Sequence, residues 1–239
     1  MILMVKVVRQ HLYAKLVKEL GGGYSSTLGI NLASMESEEV FKWFLASVLL
    51  GTGIEKSFAM KTYREFEKVG MLSADAILQT GWQGLLDILN RGRYTEYDSV
   101  TATKLLEVMG DLKEKYQGDL NRLHFFAKDE RDLEGKFQAL GKGIEPVTVS
   151  IFLRELRGLW EKAEPPLSEP ALLASRNLGL TQTTDAASSL EELRAMWEAG
   201  RETKAPFSDF EVALVRLGKD YCAKKRCTIC PVRQECPSQ

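Results

Sequence analysis

From Leu133 to Leu156 the chain reads as two apolar helical stripes interrupted by a glycine pair, and no other stretch constrains the fold as strongly. Leu133, Phe137 and Leu140 recur at four- and three-residue spacing, as do Val149, Phe152, Leu153 and Leu156 after the break. Between them stand Gly141 and Gly143, one residue apart, and then Pro146, which suits the first turn of a helix. The spacing predicts a helix, a tight turn and a second helix. Backbone amides at the start of that second helix have no intrahelical acceptor, so the turn suits an anion. A nucleic-acid phosphate is the commonest large one. Gly141, Lys142, Gly143, Val147 and Thr148 are therefore candidate DNA-contacting residues. The alternative is an ordinary helical hairpin whose glycines merely end a helix.

The rest of the chain has the same helical character, with no alternation of strand type. An amphipathic helix is predicted over Lys6–Leu20, closed by Gly21, Gly22 and Gly23. Ser37 looks like the cap of a strongly apolar helix over Val40–Leu50. Lys56–Lys68, Ala74–Thr80, Trp82–Leu89, Val100–Lys115, Asp119–Ala127 and Asp132–Leu140 follow. Past the hairpin, Pro165 and Pro166 impose an extended crossing. Ser168, Ser189 and Asp209 then look like caps of helices over Glu169–Leu178, Leu190–Ala199 and Asp209–Leu217. The fold class is all-α.

All four cysteines fall in the last eighteen residues, as Cys222, Cys227, Cys230 and Cys236 with spacing C-x4-C-x2-C-x5-C. Four thiolates so close together can wrap one metal centre. Lys224, Lys225 and Arg226 lie among them to offset their charge. Zinc sites usually pair two C-x2-C knuckles, and only one occurs here. Two disulfides suit a secreted chain better than this one, whose remaining length holds no cysteine. A [4Fe–4S] cluster tolerates uneven spacing and is the preferred reading. It can serve as a staple for short helices with a thin core.

Composition sets the remaining bounds. The chain has 239 residues, 44 % of them hydrophobic and 27 % charged, which suits one large or two modest soluble domains. Its net charge of −1 removes any global electrostatic argument for nucleic-acid binding. Local asymmetry supplies one instead, since Arg216, Lys219, Lys224, Lys225, Arg226 and Arg233 face Asp220 alone over Arg216–Arg233. A solvated basic tail is the bland alternative. No apolar run is long enough to span a membrane and the start lacks a signal-peptide pattern, so a cytoplasmic protein, monomeric in solution, is expected.

The hairpin followed by the four-cysteine loop resembles the endonuclease III branch of the helix-hairpin-helix DNA glycosylase superfamily, over roughly Glu36–Pro237. The resemblance implies a six-helix barrel with the helix-hairpin-helix motif over 36–160, and an iron–sulfur domain from 1–35 and 161–239. It also implies duplex DNA as partner and base-excision repair as function. The family's hairpin usually reads L-P-G-V-G-x-K-T-A, its lysine serving as nucleophile. Here Glu145 replaces the second glycine, Pro146 precedes the lysine position and Val147 occupies it. Ser168 stands where the family's aspartate would, and the first cysteine spacing is x4 rather than x6. Lysine-dependent lyase chemistry at that position is therefore not expected.

Base release would then need another carboxylate near the anomeric carbon. Glu164 and Glu169 are the ones close to the missing aspartate, with Glu169 equally readable as a first-turn helix residue. The loop Arg91–Asp98 offers a further set: Arg93, Tyr94 and Tyr97 as DNA contacts and Asp98 as carboxylate. Alternatively Asp98 or Ser99 is a helix cap and Tyr94 packs in the core. Lys104 reads as a surface pair with Asp98, and His11 and His124 are isolated. Set against a monofunctional glycosylase is a non-catalytic DNA-binding protein that kept the fold and lost its active site.

Overall fold

The computed structural model describes residues 2–200 and 204–238, with residues 2–10 as backbone only. Helices α1 (Ile2–Leu20), α2 (Tyr24–Thr27), α3 (Ser37–Leu50), α4 (Lys56–Lys68), α5 (Ala74–Arg91) and α6 (Asp98–Tyr116) come first. They are followed by α7 (Leu120–Phe126), α8 (Glu130–Gln138), α9 (Pro146–Leu156), α10 (Glu169–Asn177), α11 (Ala186–Gly200) and α12 (Phe207–Leu217). No strand occurs among the described residues, beyond one isolated bridge between Arg157 and Trp160. The all-α expectation holds. No described helix is long and apolar enough to cross a membrane.

Local chemistry explains three helix starts. Ser73, Asp119 and Asp129 cap α5, α7 and α8 by accepting from Ala76, Asn121 and Asp132 amides. Gly81 (φ 68°, ψ 176°) breaks α5 in two, as the predicted Ala74–Thr80 and Trp82–Leu89 pair requires. Three expected caps fail. Ser37 is the first residue of α3 rather than its cap, and its hydroxyl donates to the Asp119 carboxylate at 2.9 Å. The other two lie further along their helices. Asp185, not Ser189, starts α11, accepting from the Ser188 amide and hydroxyl at 2.7 Å, while Ser189 is buried within the helix. Asp209 lies inside α12, which begins at Phe207. In both cases the helix gains a turn upstream because apolar residues there find a core, an effect of tertiary packing over local propensity.

The chain divides into two compact units, Tyr24–Pro165 and a terminal unit made of Met1–Gly23 with Pro166–Gln239. These borders replace the expected 35/36 and 160/161. The central unit reaches back to Tyr24 because the Glu155 carboxylate on α9 accepts from the Tyr24 amide (2.7 Å), the Ser25 amide (3.0 Å) and the Ser25 hydroxyl (2.6 Å). It extends forward to Pro165 because the Arg157 guanidinium donates to Glu164 (2.5 Å) and to the Pro165 carbonyl (2.7 Å).

The central unit is built around the aromatic side chains of α3, α8 and α9. Phe44, Phe137 and Phe152 meet pairwise at centroid distances of 4.9–5.7 Å, and Trp160 joins Phe152 at 5.7 Å. Each such contact is worth about 0.5–1.5 kcal/mol beyond area burial. The Trp43 indole, fully buried, donates to the Phe152 carbonyl at 3.0 Å and fixes α3 on α9. In the terminal unit α1 packs on α11 and α12 through Leu12, Tyr13 and Leu16 against Trp197 and Phe210, whose rings stack at 4.9 Å. The Arg216 guanidinium closes the end of α1 by donating to the Leu20 (2.8 Å) and Gly21 (2.5 Å) carbonyls. Arg216 thus leaves the predicted basic surface and becomes structural.

Candidate functional site

The α8–α9 connection is a tight turn through two glycines with positive φ, Gly141 at 146° and Gly143 at 96°. A side chain at Gly141 would crowd Val108 of α6, with a Cβ 3.1 Å from its Cγ2. The amides of Gly141, Lys142, Gly143, Glu145 and Val147 make no hydrogen bond to any described residue. Lys142, Glu145 and Val147 are exposed, and Val147 retains 52 % of its accessible surface. A row of free donors therefore opens to solvent at the start of α9. Thr148 departs from expectation. It is buried against Gly51, and its amide is taken up by the Glu145 carbonyl at 2.9 Å.

Beside this turn lies a groove of about 590 Å³, lined by Trp82, Val100, Lys104, Lys142, Gly143 and Glu145 among others. Trp82 comes from the second half of α5 and is 43 % exposed; Val100, in the first turn of α6, is 65 % exposed. Trp82 donates its indole hydrogen to the Thr103 hydroxyl at 3.1 Å, which holds the ring in the groove wall. Lys104 rises from α6 against the glycine turn. Burial holds its ammonium below the usual lysine range, and the negative charge of Glu145 opposes that shift. It makes no hydrogen bond or ion pair with a described residue, so it is not the surface partner of Asp98. The Asp98 carboxylate instead accepts from the Ser99 amide at 2.6 Å, at the start of α6.

The other residues singled out in the sequence scatter. Tyr94 is fully buried, donates its hydroxyl to the Leu49 carbonyl at 2.7 Å and contacts the Thr52 hydroxyl, and burial pushes its phenol up to about 12. Tyr94 is a core residue and offers no DNA a surface. Arg93 (φ 65°) and Tyr97 remain exposed on the same loop. Glu164 is engaged by Arg157, whose side chain is only 3 % exposed. Glu169 is an exposed first-turn residue of α10, where the helix dipole favours a carboxylate.

In the cysteine loop Lys224, Lys225 and Arg226 are all exposed. Cys222, Cys230 and Cys236 pack against the apolar core of the terminal unit, while Cys227 is exposed. Burial pushes the Cys222 and Cys230 thiols up, and negative charge on the neighbouring cysteines pushes the same way. Among the described residues no three His, Cys, Asp or Glu side chains converge closely enough to hold a metal ion. The donor set nevertheless suits a soft metal or an iron–sulfur cluster: four thiols, mutually repelling once ionised, with cations beside them.

Sequence reasoning missed the groove. Its one signal was Lys104 standing as a single charge within the otherwise uncharged stretch from Val100 to Leu106. No protein-family model matches the chain, and no curated protein matches it significantly.

Proposed function

We propose that this chain is a duplex-DNA-binding protein of the endonuclease III type that acts in base-excision repair. The observation that carries the reading is the row of free amides over Gly141, Lys142, Gly143 and Val147 at the start of α9. In this reading α8, the turn and α9 form a helix-hairpin-helix motif within a six-helix barrel, and a phosphate sits on the free donors. The exposed Lys224, Lys225 and Arg226 add salt-dependent phosphate contacts of their own. Arg93 and Tyr97 are the remaining candidates for contact with the strand.

Cys222, Cys227, Cys230 and Cys236 would hold a [4Fe–4S] cluster, on the strength of donor type and spacing. Bound, the cluster would cross-link the short closing turns around Val232 to the rest of the terminal unit.

Base release would require a carboxylate free to approach a sugar. Asp98 is spent on its own helix end and Glu164 on Arg157, which leaves Glu169. Those two engagements favour the second reading, a DNA-binding protein without glycosylase activity. A panel of duplexes carrying uracil, hypoxanthine, alkylated, oxidised, mismatched and abasic sites distinguishes the two. Base release revealed by hot alkali establishes a monofunctional glycosylase; binding without release establishes the non-catalytic protein. The DNA reading itself is tested by Val147→Glu, which sets a carboxylate beside the free amides. Binding should weaken for every duplex regardless of sequence, and unchanged affinity would overturn the anchor.

A further inference from the structure

We propose that Lys15 of α1 is a positioning residue for the four-cysteine site, acting through Glu235 on the turn that carries Cys236. Its ammonium donates to the Glu235 carboxylate at 2.9 Å, joining residues 220 positions apart in the chain. The two side chains are 27 % and 14 % exposed, so the pair is screened less than one on open surface. Lys224, which the sequence sets among the cysteines, is by contrast 48 % exposed and lies 3.5 Å from Asp220. The second carboxylate oxygen of Glu235 is buried and accepts no hydrogen bond among the described residues. Glu235 therefore depends on Lys15, since a carboxylate this far from water is costly without a cation.

The closing turn is tied at three points. Val232 is fully buried in the core of the terminal unit. Beyond Cys236 the Ser238 hydroxyl donates to the Asn177 carbonyl, at the end of α10, at 2.9 Å. Between these, the Lys15–Glu235 pair fastens the residue that precedes Cys236 to α1. Leu12 and Leu16 sit in the core on either side of Lys15 in the sequence, which fixes where its side chain starts. The negative charge of Glu235 also reaches Cys230. Unpaired, it would add its repulsion to that of thiolates gathered at one centre, and the turn would be free to carry Cys236 away. Lys15 thus supplies both a counter-charge and a fixed distance to a site at the far end of the sequence.

The inference rests on the metal-binding reading of the cysteines, and its test separates the two. The full chain is purified anaerobically, and release of bound metal to a chelator is followed for the parent, Lys15→Met, Lys15→Arg and Leu12→Ala. Lys15→Met should lose metal about tenfold faster than the parent, and Lys15→Arg should keep the parent rate. Leu12→Ala, which loosens α1 without touching the pair, should lower thermal stability and leave the rate near the parent's. Equal rates in Lys15→Met and the parent would overturn the proposal, as would release in Leu12→Ala as fast as in Lys15→Met. A parent that carries no metal would sink the cluster reading alone. The chain as purified is then alkylated with iodoacetamide, and peptide mass spectrometry decides. Cys236 should react several-fold faster in Lys15→Met while Cys222 does not. A matched rise at every cysteine, or no rise at Cys236, would overturn the role of Lys15.

Discussion

Lys104 and Gly143 share one volume: the lysine stem occupies the space that any side chain at position 143 would need. Gly143→Ala therefore carries the penalty of a positive φ of 96° and a smaller one from moving the flexible end of Lys104 aside. We expect a loss of about 1–3 kcal/mol in urea unfolding, with weakened DNA binding whatever base is present. In a Lys104→Ala background the packing part of the penalty should disappear while the backbone part remains. Equal penalties in both backgrounds would show that the two residues do not compete.

The desolvated amine predicts a pH dependence with a definite sign. A folded-state lysine held below its unfolded value of about 10.4 is penalised while charged. That penalty is relieved as pH rises through the folded value. Lys104→Met should therefore be more stable than the parent at neutral pH, with the gap closing as pH approaches the ordinary lysine range. A gap that widens with pH would contradict the burial argument.

Tyr94→Phe removes a hydroxyl that donates to the Leu49 carbonyl in the core. It should cost about 1 kcal/mol of stability and leave DNA affinity unchanged, as read by urea titration and fluorescence anisotropy. The sequence offered Tyr94 both as a DNA contact and as a core residue, and the core reading is the one the structure takes. Tyr94 and Tyr97 are three residues apart, and which one the core takes depends on where α3 ends, at Leu50.

The same limit runs through the rest of the molecule. The glycine turn, the all-helical class and α4 at Lys56–Lys68 were legible, since each is written in local spacing or turn chemistry. Glu164 was not, because its partner Arg157 lies on the far side of Gly158 and Trp160, in a segment without helical period. Lys104 was misassigned for a related reason. Its neighbour along the helix, Asp98, was visible in sequence, whereas its neighbour in space, Gly143, is thirty-nine positions away.

Glu164→Ala should destabilise the chain by about 1–3 kcal/mol, since it removes the carboxylate from a guanidinium buried to 3 % exposure. If any glycosylase activity is found, its loss in this variant should track the unfolded fraction. Full stability with abolished base release would instead make Glu164 the missing carboxylate.

Replacing Lys224, Lys225 and Arg226 together by alanine should flatten the dependence of log K on log salt by about 2–3, with little change in thermal stability because all three are exposed. An unaltered slope would remove the cysteine loop from the DNA-contacting surface.

The terminal unit draws α1 from one end of the sequence and α10–α12 from the other. During synthesis the two halves emerge far apart in time. At about 5–20 residues per second, α1 waits on the order of ten seconds before α10 leaves the ribosome. Within the central unit sequence neighbours such as α5 and α6 can pack as soon as they emerge. Leu12, Tyr13 and Leu16 therefore remain uncovered while the central unit is already collapsing. For that interval the nascent chain carries a ready-made site for a chaperone, and α10–α12 are the elements that release it.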